Sequence, residues 1–144
     1  MFTTTFEILR FTQQSKIRHS QWQDMAEHNE LGSHGEALAM AELQRKGYII
    51  LEKNWRYQKA EIDIIACNFE FVIAVEVKTR SSITFGNPQD FVNPQKIKRL
   101  VVAMHHYVIS NKLDHEVRFD IIAITKNRDQ FKLDHLEGAF HAFD

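Results

Sequence analysis

Cys67 is the single cysteine in a chain of 144 residues. A lone cysteine excludes an internal disulfide and points to a reducing compartment, the cytoplasm on the simplest reading. No apolar run approaches the roughly 20 residues that cross a bilayer, so no membrane-spanning helix is expected. The chain before Met25 carries Arg10, Lys16 and Arg18 but no long apolar stretch and no small-residue cleavage site, which argues against a secretory signal. Internal repeats and low-complexity segments are lacking. So is any excess of charge: 18 Lys and Arg stand against 19 Asp and Glu, for a net charge of −1. A globally basic, nucleic-acid-coating protein is thereby excluded. With 44% hydrophobic and 26% charged residues, the composition is that of an ordinary globular protein. The length suits one domain with one sizeable core.

The charge that is present is unevenly placed. Between Arg45 and Arg99 the basic residues are Arg45, Lys46, Lys53, Arg56, Lys59, Lys78, Arg80, Lys96, Lys98 and Arg99. The acidic ones are Glu52, Glu61, Asp63, Glu70, Glu76 and Asp90, ten against six. This stretch reads either as a basic rim around an acidic centre, suited to a phosphate-bearing ligand, or as an ordinary solvated surface.

Along the chain, residues 1–29 are polar and aperiodic and are expected as a poorly ordered extension, with Met25 an alternative start. The domain is expected over residues 30–138, with 139–144 a short tail. Ser33 and Glu36 have the spacing of a capping box, and Gly47 supplies the stop of the helix they would begin. Tyr48–Leu51 reads as a strand, and Asn54–Tyr57 as its continuation or bend. Two alternating runs follow, Ala60–Cys67 and Phe71–Lys78. Ser81–Val92, with Gly86-Asn87-Pro88, reads as a loop. Asn93 caps a second helix with Pro94 at its first position, and Ile97, Leu100, Val101, Met104, Tyr107 and Val108 form its buried stripe. Val117–Thr125 and Phe131–Leu136 read as a hairpin turning at Asn127–Asp129. The expectation is a single α/β domain with a central mixed sheet of about five strands flanked by helices.

Alternation places Glu61 and Asp63 on one face of their strand, and Glu76 and Lys78 on one face of theirs. A hairpin centred near Phe69-Glu70 sets Asp63 opposite Glu76 and Glu61 opposite Lys78. Carboxylates facing each other at ~5 Å repel, so the pair needs a cation. Lys78 can supply part of that charge and a divalent metal the rest. Each residue also has a plainer reading: Glu36 as a capping partner, Asp63 as part of a solvated strand face, and Lys96, Arg56 and Arg80 as surface cations. Glu61 is expected to pair with Lys78 across the hairpin. Other chemistries find no constellation. His105 and His106 point apart on a helix, Cys67 has no patterned histidine, and Ser81-Ser82 lack a nucleophile or phosphate-loop context.

The ordered set Gly35-Glu36, Gly47-Tyr48, Asn54-Trp55-Arg56, Glu61-Ile62-Asp63 and Val75-Glu76-Val77-Lys78-Thr79-Arg80 resembles the YraN-like family. Gly86, Pro88, Lys96 and Arg118-Phe119-Asp120 continue the match. In pattern this family is similar to archaeal Holliday-junction resolvases within the PD-(D/E)XK, restriction-endonuclease-like superfamily. Ala60 departs from the glycine that many relatives carry before the Glu-Ile-Asp triplet. The resemblance implies a restriction-endonuclease-like fold and metal-dependent hydrolysis of phosphodiester bonds in nucleic acid, with branched or structured DNA as the implied substrate. Asp63, Glu76 and the Val77 carbonyl would hold Mg²⁺ or Mn²⁺, and Glu36 would bind a second ion or orient water. Lys78 would position the nucleophile or neutralise the transition-state oxyanion, while Arg56, Arg80 and Lys96 would contact phosphates. A homodimer is implied by the same likeness. The competing readings are a nucleic-acid-binding module of nuclease fold without cleavage, and an α/β protein whose acidic cluster serves stability or partner binding.

Overall fold

The computed structural model describes the backbone of residues 5–81 and 92–141, and side chains from residue 23 onward within those spans. The elements are α1 (Thr5–Arg45), β1 (Ile49–Tyr57), β2 (Ala60–Cys67), β3 (Phe71–Arg80), α2 (Pro94–Ser110), β4 (Glu116–Asn127) and β5 (Gln130–Phe140). The chain divides into two units between Ser33 and His34. The second unit contains the last turns of α1 and everything after it. The expected α/β fold with a mixed five-stranded sheet is the one observed. The loop expected around Gly86-Asn87-Pro88, the last residues of the expected tail and the apolar side chains between Phe2 and Phe11 lie outside the described residues.

Two expectations are corrected at the N-terminal side. The segment before Asn29, read as having no regular element, is helical from Thr5 onward, although its apolar residues follow no helical period. Ser33 therefore lies inside α1 and caps nothing, because a helix that arrives from upstream already satisfies its amides. The predicted stop does hold. Gly47 sits at φ 91, its amide donates to the Gln44 carbonyl at 3.0 Å, and the Tyr48 amide donates to the Leu43 carbonyl at 2.9 Å. This is a Schellman closure with its usual apolar contact, since Tyr48 and Leu43 pack in the same cluster.

The strands lie in the order β1-β2-β3-β4-β5. All neighbouring pairs are antiparallel except β3 and β4, which α2 joins as a parallel crossover. Ala39 and Leu43 of α1 cover one face, over Ile64, Ile73, Val75, Ile122 and Ile124. Ile97, Leu100, Ala103, Met104 and Tyr107 of α2 cover the other, over Ile65, Val72, Ala74 and Ile121. β5 runs on to Phe140, past the expected end of the domain at residue 138, and Phe140 is buried against Phe119 with ring centroids 5.0 Å apart.

Of the two buried acidic residues among those described, Glu76 and Asp120, the second is fully enclosed. Asp120 on β4 is 0% exposed. Arg118 grips it with two bonds of 2.8 Å, His135 Nε2 meets Oδ2 at 2.8 Å, and the Gly138 amide donates to Oδ1 at 3.0 Å. That last bond comes from a bulge in β5, where the register shifts between Phe119 and Ile121 and Gly138 takes φ 58. Arg118 also donates to the Tyr48 hydroxyl at 2.7 Å and stacks 4.6 Å from the Phe71 ring centroid. Lys46 Nζ lies 2.9 Å from His135 Nδ1. An ammonium only donates, so Nδ1 accepts and Nε2–H points at Asp120. Burial alone would raise the Asp120 pKa, but the bonds from Arg118, His135 and Gly138 outweigh it and hold the carboxyl below its ordinary value. Asp120→Ala removes the bidentate partner of Arg118 and leaves its charge only the Tyr48 hydroxyl and a longer, 3.8 Å approach to Glu137. We expect a loss of about 3–5 kcal/mol in urea unfolding, with Arg118→Ala/Asp120→Ala less damaging than the two single losses combined.

Candidate active site

The β2–β3 ladder runs from Cys67↔Val72 to Ile64↔Val75 and then stops. The register is the expected one, with Asp63 and Glu76 as the next facing pair. At that point the Val77 amide donates to Asp63 Oδ2 at 2.8 Å, so a side-chain carboxylate takes the place of a strand carbonyl. The strands part beyond it, and a cleft of about 310 Å³ opens, lined by residues that include Asp63, Glu76, Lys96 and Arg99.

Asn54 on β1 lies opposite Asp63 and adopts φ 47, in the left-handed region that asparagine tolerates better than most residues. β2, which pairs with this segment, changes face at the same level: Ile62 packs on the α2 side, while Ile64, two residues on, packs on the α1 side. Strict alternation would have kept them together. Glu61 is consequently corrected as well: it faces Arg56 on β1, 3.4 Å away, rather than Lys78.

Glu76 is 7% exposed and gathers both lysines. Lys96 Nζ lies 2.6 Å and Lys78 Nζ 3.4 Å from the same oxygen, Oε1. Lys96 reaches it from the first turn of α2, where the Asn93 side chain accepts from the Lys96 amide at 2.8 Å. One residue thus closes the helix cap and supplies the countercharge. Glu36 approaches from α1, where Asn54 Nδ2 sits at a long 3.5 Å from its Oε2. It is near enough to push the Asp63 pKa up, but among the described residues no three His, Cys, Asp or Glu side chains converge as a metal-holding group. Asp63 and Glu76 with the two lysines are therefore brought together, and Glu36 stands beside them.

The remaining predicted contacts are more dispersed. Arg56 is exposed and engaged with Glu61. Arg80 ends β3, exposed, beside Thr125. Trp55 is held between Tyr57, stacked at 6.0 Å, and Tyr107, edge-on at 5.1 Å. Asn54 is the positioning residue that sequence reading missed as such. An asparagine facing a carboxylate in register was the available signal.

Desolvation is the main reason the Asp63 pKa rises to about 6, and Glu76 and Glu36 add to it against the opposing Val77 bond and Lys96. The folded protein then binds more protons than the unfolded chain between the ordinary value of 3.8 and about 6. This contribution to stability is complete below pH ~4 and is lost as pH rises through ~6. Asp63→Asn escapes that loss. We expect it to exceed the wild type by about 1–3 kcal/mol in urea unfolding at pH 7.5, with the difference vanishing near pH 4.

Gly35 sets how closely α1 approaches the sheet beside this site. A Cβ there would lie 1.9 Å from Thr79 Oγ1 and 3.0 Å from Thr79 Cβ. Alanine in a helix normally gains up to ~1 kcal/mol over glycine, but overpacking costs about 1–3 kcal/mol. Gly35→Ala should therefore lower the melting temperature, and Gly35→Ala/Thr79→Ala should recover part of the loss.

With the geometry established, the family follows. The family model described as uncharacterised protein family UPF0102 matches residues 35–124, from Gly35 to the end of the buried part of β4. A UPF0102 protein of Flavobacterium psychrophilum is 62% identical over 119 residues, which make up 83% of this chain and all of the relative. One from Christiangramia forsetii is 60% identical over the same length and coverage. This chain belongs to the UPF0102 family, as the ordered motifs lead one to expect. Among solved structures, Hjc of Archaeoglobus fulgidus, a Holliday junction resolvase, superposes with a TM-score of 0.43 at 16% identity, over 72% of this chain and 75% of that one. No helix among the described residues is long and apolar enough to cross a membrane.

Proposed function

We propose that this protein is a divalent-metal-dependent nuclease of PD-(D/E)XK type, with DNA as its expected substrate. The observation that carries the reading is the pair of carboxylates from adjacent strands, Asp63 and Glu76, opening on one cleft with two lysines at Glu76. The donor set fits Mg²⁺ or Mn²⁺, because such ions take hard oxygens and one or two carboxylates suffice beside retained waters. Asp63 and Glu76 would hold the ion. The Val77 carbonyl would join them, leaving the strand on the side where the Val77 amide already meets Asp63. Glu36 would serve from outside that shell, orienting water. A bound ion would supply charge neutralisation at the phosphate and an acidified water.

The chain's own residues do the rest. Val77 fixes one Asp63 oxygen, which sets the direction of the other. Lys78 and Lys96 hold positive charge at Glu76 and can donate to phosphate oxygens as negative charge grows there. Arg80 and Arg56 would contact phosphates farther along the strand, and a homodimer would present two such sites to branched DNA.

The second reading is binding without cleavage. It is favoured by the absence, among the described residues, of a three-ligand cluster, and by Lys96 standing 2.6 Å from the very oxygen a metal would use. Plasmid, single-stranded and four-way-junction DNA incubated with Mg²⁺, Mn²⁺ or EDTA separates the two. We expect cleavage with either metal, none with EDTA, and losses on the order of 100-fold or more in Asp63→Ala and Lys78→Ala. Tight binding with no cutting under any condition would establish the second reading, and cutting unaffected by either substitution would overturn the site.

A further inference from the structure

A second cavity of about 320 Å³ adjoins the cleft, sharing Lys59, Ala60 and Arg99 with it. Its other lining residues are Tyr57, Gln58, Lys98 and Val102, so it holds three cations and no carboxylate. Lys59, Lys98 and Arg99 are exposed and, among the described residues, form no ion pair. Arg56, by contrast, also faces Glu61, and Lys78 and Lys96 also face Glu76. Lys59, Lys98 and Arg99 are thus cations beside the cleft that no carboxylate among the described residues engages. The cavity also borders an array of rings. Tyr57 stacks on Trp55 at 6.0 Å with planes 4° apart, and His106 stacks on Tyr57 at 4.2 Å with planes 19° apart. The His106 ring nitrogen meets Ser110 Oγ at 3.3 Å, which steadies its plane, and His106 is exposed.

We propose that this groove seats an unpaired nucleic-acid strand leading to the Asp63–Glu76 cleft. Lys59, Lys98 and Arg99 take its phosphates, and a base extends the ring array on the exposed side of His106. Cations alone would suit any polyanion. The stacked rings select an unpaired strand, because base faces are available only where a strand is not stacked within a duplex. The position of the strand's end at the cleft rests on the nuclease reading above, while the binding itself does not. The substrate so defined is a duplex or junction bearing a single-stranded segment next to the cut.

Fluorescence anisotropy in EDTA measures binding apart from cleavage. The probes are a labelled duplex with a single-stranded overhang, the same duplex blunt-ended, and ribonucleotide versions of both. We expect the overhang to bind at least about tenfold more tightly than the blunt duplex, with the sugar preference read from the ribonucleotide arm. His106→Ala should weaken overhang binding at least about fivefold and leave blunt binding unchanged. Lys98→Ala/Arg99→Ala should flatten the slope of log affinity against log salt by roughly 1.4, two single-strand phosphate contacts' worth. Lys132→Ala, an exposed lysine paired with Asp134 on β5, should change nothing. Equal affinity for blunt and overhang probes, or unchanged binding in both variants, overturns the groove. If the variants lose overhang binding in a protein that never cuts, the groove stands and the nuclease reading falls. If the wild type cuts and the variants cut both substrates at wild-type rates, the reverse holds.

Discussion

Inside a sheet, a strand amide is normally answered by a carbonyl of the next strand. At Val77 the answer comes from the Asp63 side chain instead, at 2.8 Å. That one bond marks where β2 and β3 part and where the cleft begins. It also fixes a carboxylate that would otherwise turn away from Glu76, because burial and like charge both disfavour an ionised Asp63 in this place. The balance is visible in its proton affinity: the Val77 bond and Lys96 favour the charged form, while desolvation, Glu76 and Glu36 oppose it and prevail. A carboxylate left in this condition gains from any cation that arrives, and Lys96 occupies that role on Glu76 next door.

The hairpin register was legible because strand side chains alternate with period two, and two charged alternations facing a short polar break admit few alignments. The same logic failed for Glu61. It assumed that the ladder continued past Asp63 and that β2 kept one face throughout. The left-handed Asn54 breaks the second assumption and the Asp63–Val77 bond the first, so Glu61 turns to Arg56. Both are tertiary events written in single residues, which periodicity averages away. Lys96 was legible as a phosphate contact or a helper of the site from the second helix, but not as the partner of Glu76. Its arrival at Glu76 depends on how α2 lies across the sheet, which the buried stripe of Ile97, Leu100 and Met104 decides. The Ser33-Glu36 capping box was a true pattern in the wrong context, since α1 already runs through it.

Arg118-Phe119-Asp120 alternates like any half-buried strand and gives no local sign that its charges are enclosed. What encloses them is the bulge at Gly138 and the return of Tyr48 from the end of α1, contacts separated by 18 and 70 positions in sequence. Their effect runs opposite to that of Asp63. Asp120 is held below its ordinary pKa, so its contribution to stability is present above pH ~4 and is lost as the solution becomes more acidic. Asp63 contributes most below pH ~4 and loses its contribution towards pH 6. Two aspartates in one sheet thus pull the pH dependence in opposite directions, one fully satisfied and one kept short of partners.

The two are mechanically joined. Asp120 pairs with Val75 in the parallel β3–β4 register, one residue before Glu76. Its partner Arg118 holds Tyr48, which closes α1 through Leu43, and the same helix meets Thr79 at Gly35 and presents Glu36 beside Asp63. A loosely held α1 would let the Gly35–Thr79 contact open and Glu36 drift. The Asp63 carboxylate would then relax into solvent and lose the raised proton affinity that burial, first, and the neighbouring carboxylates impose on it. The satisfied end of the sheet is therefore what keeps the unsatisfied end in place, and strain of this kind persists only where the surrounding structure over-determines it.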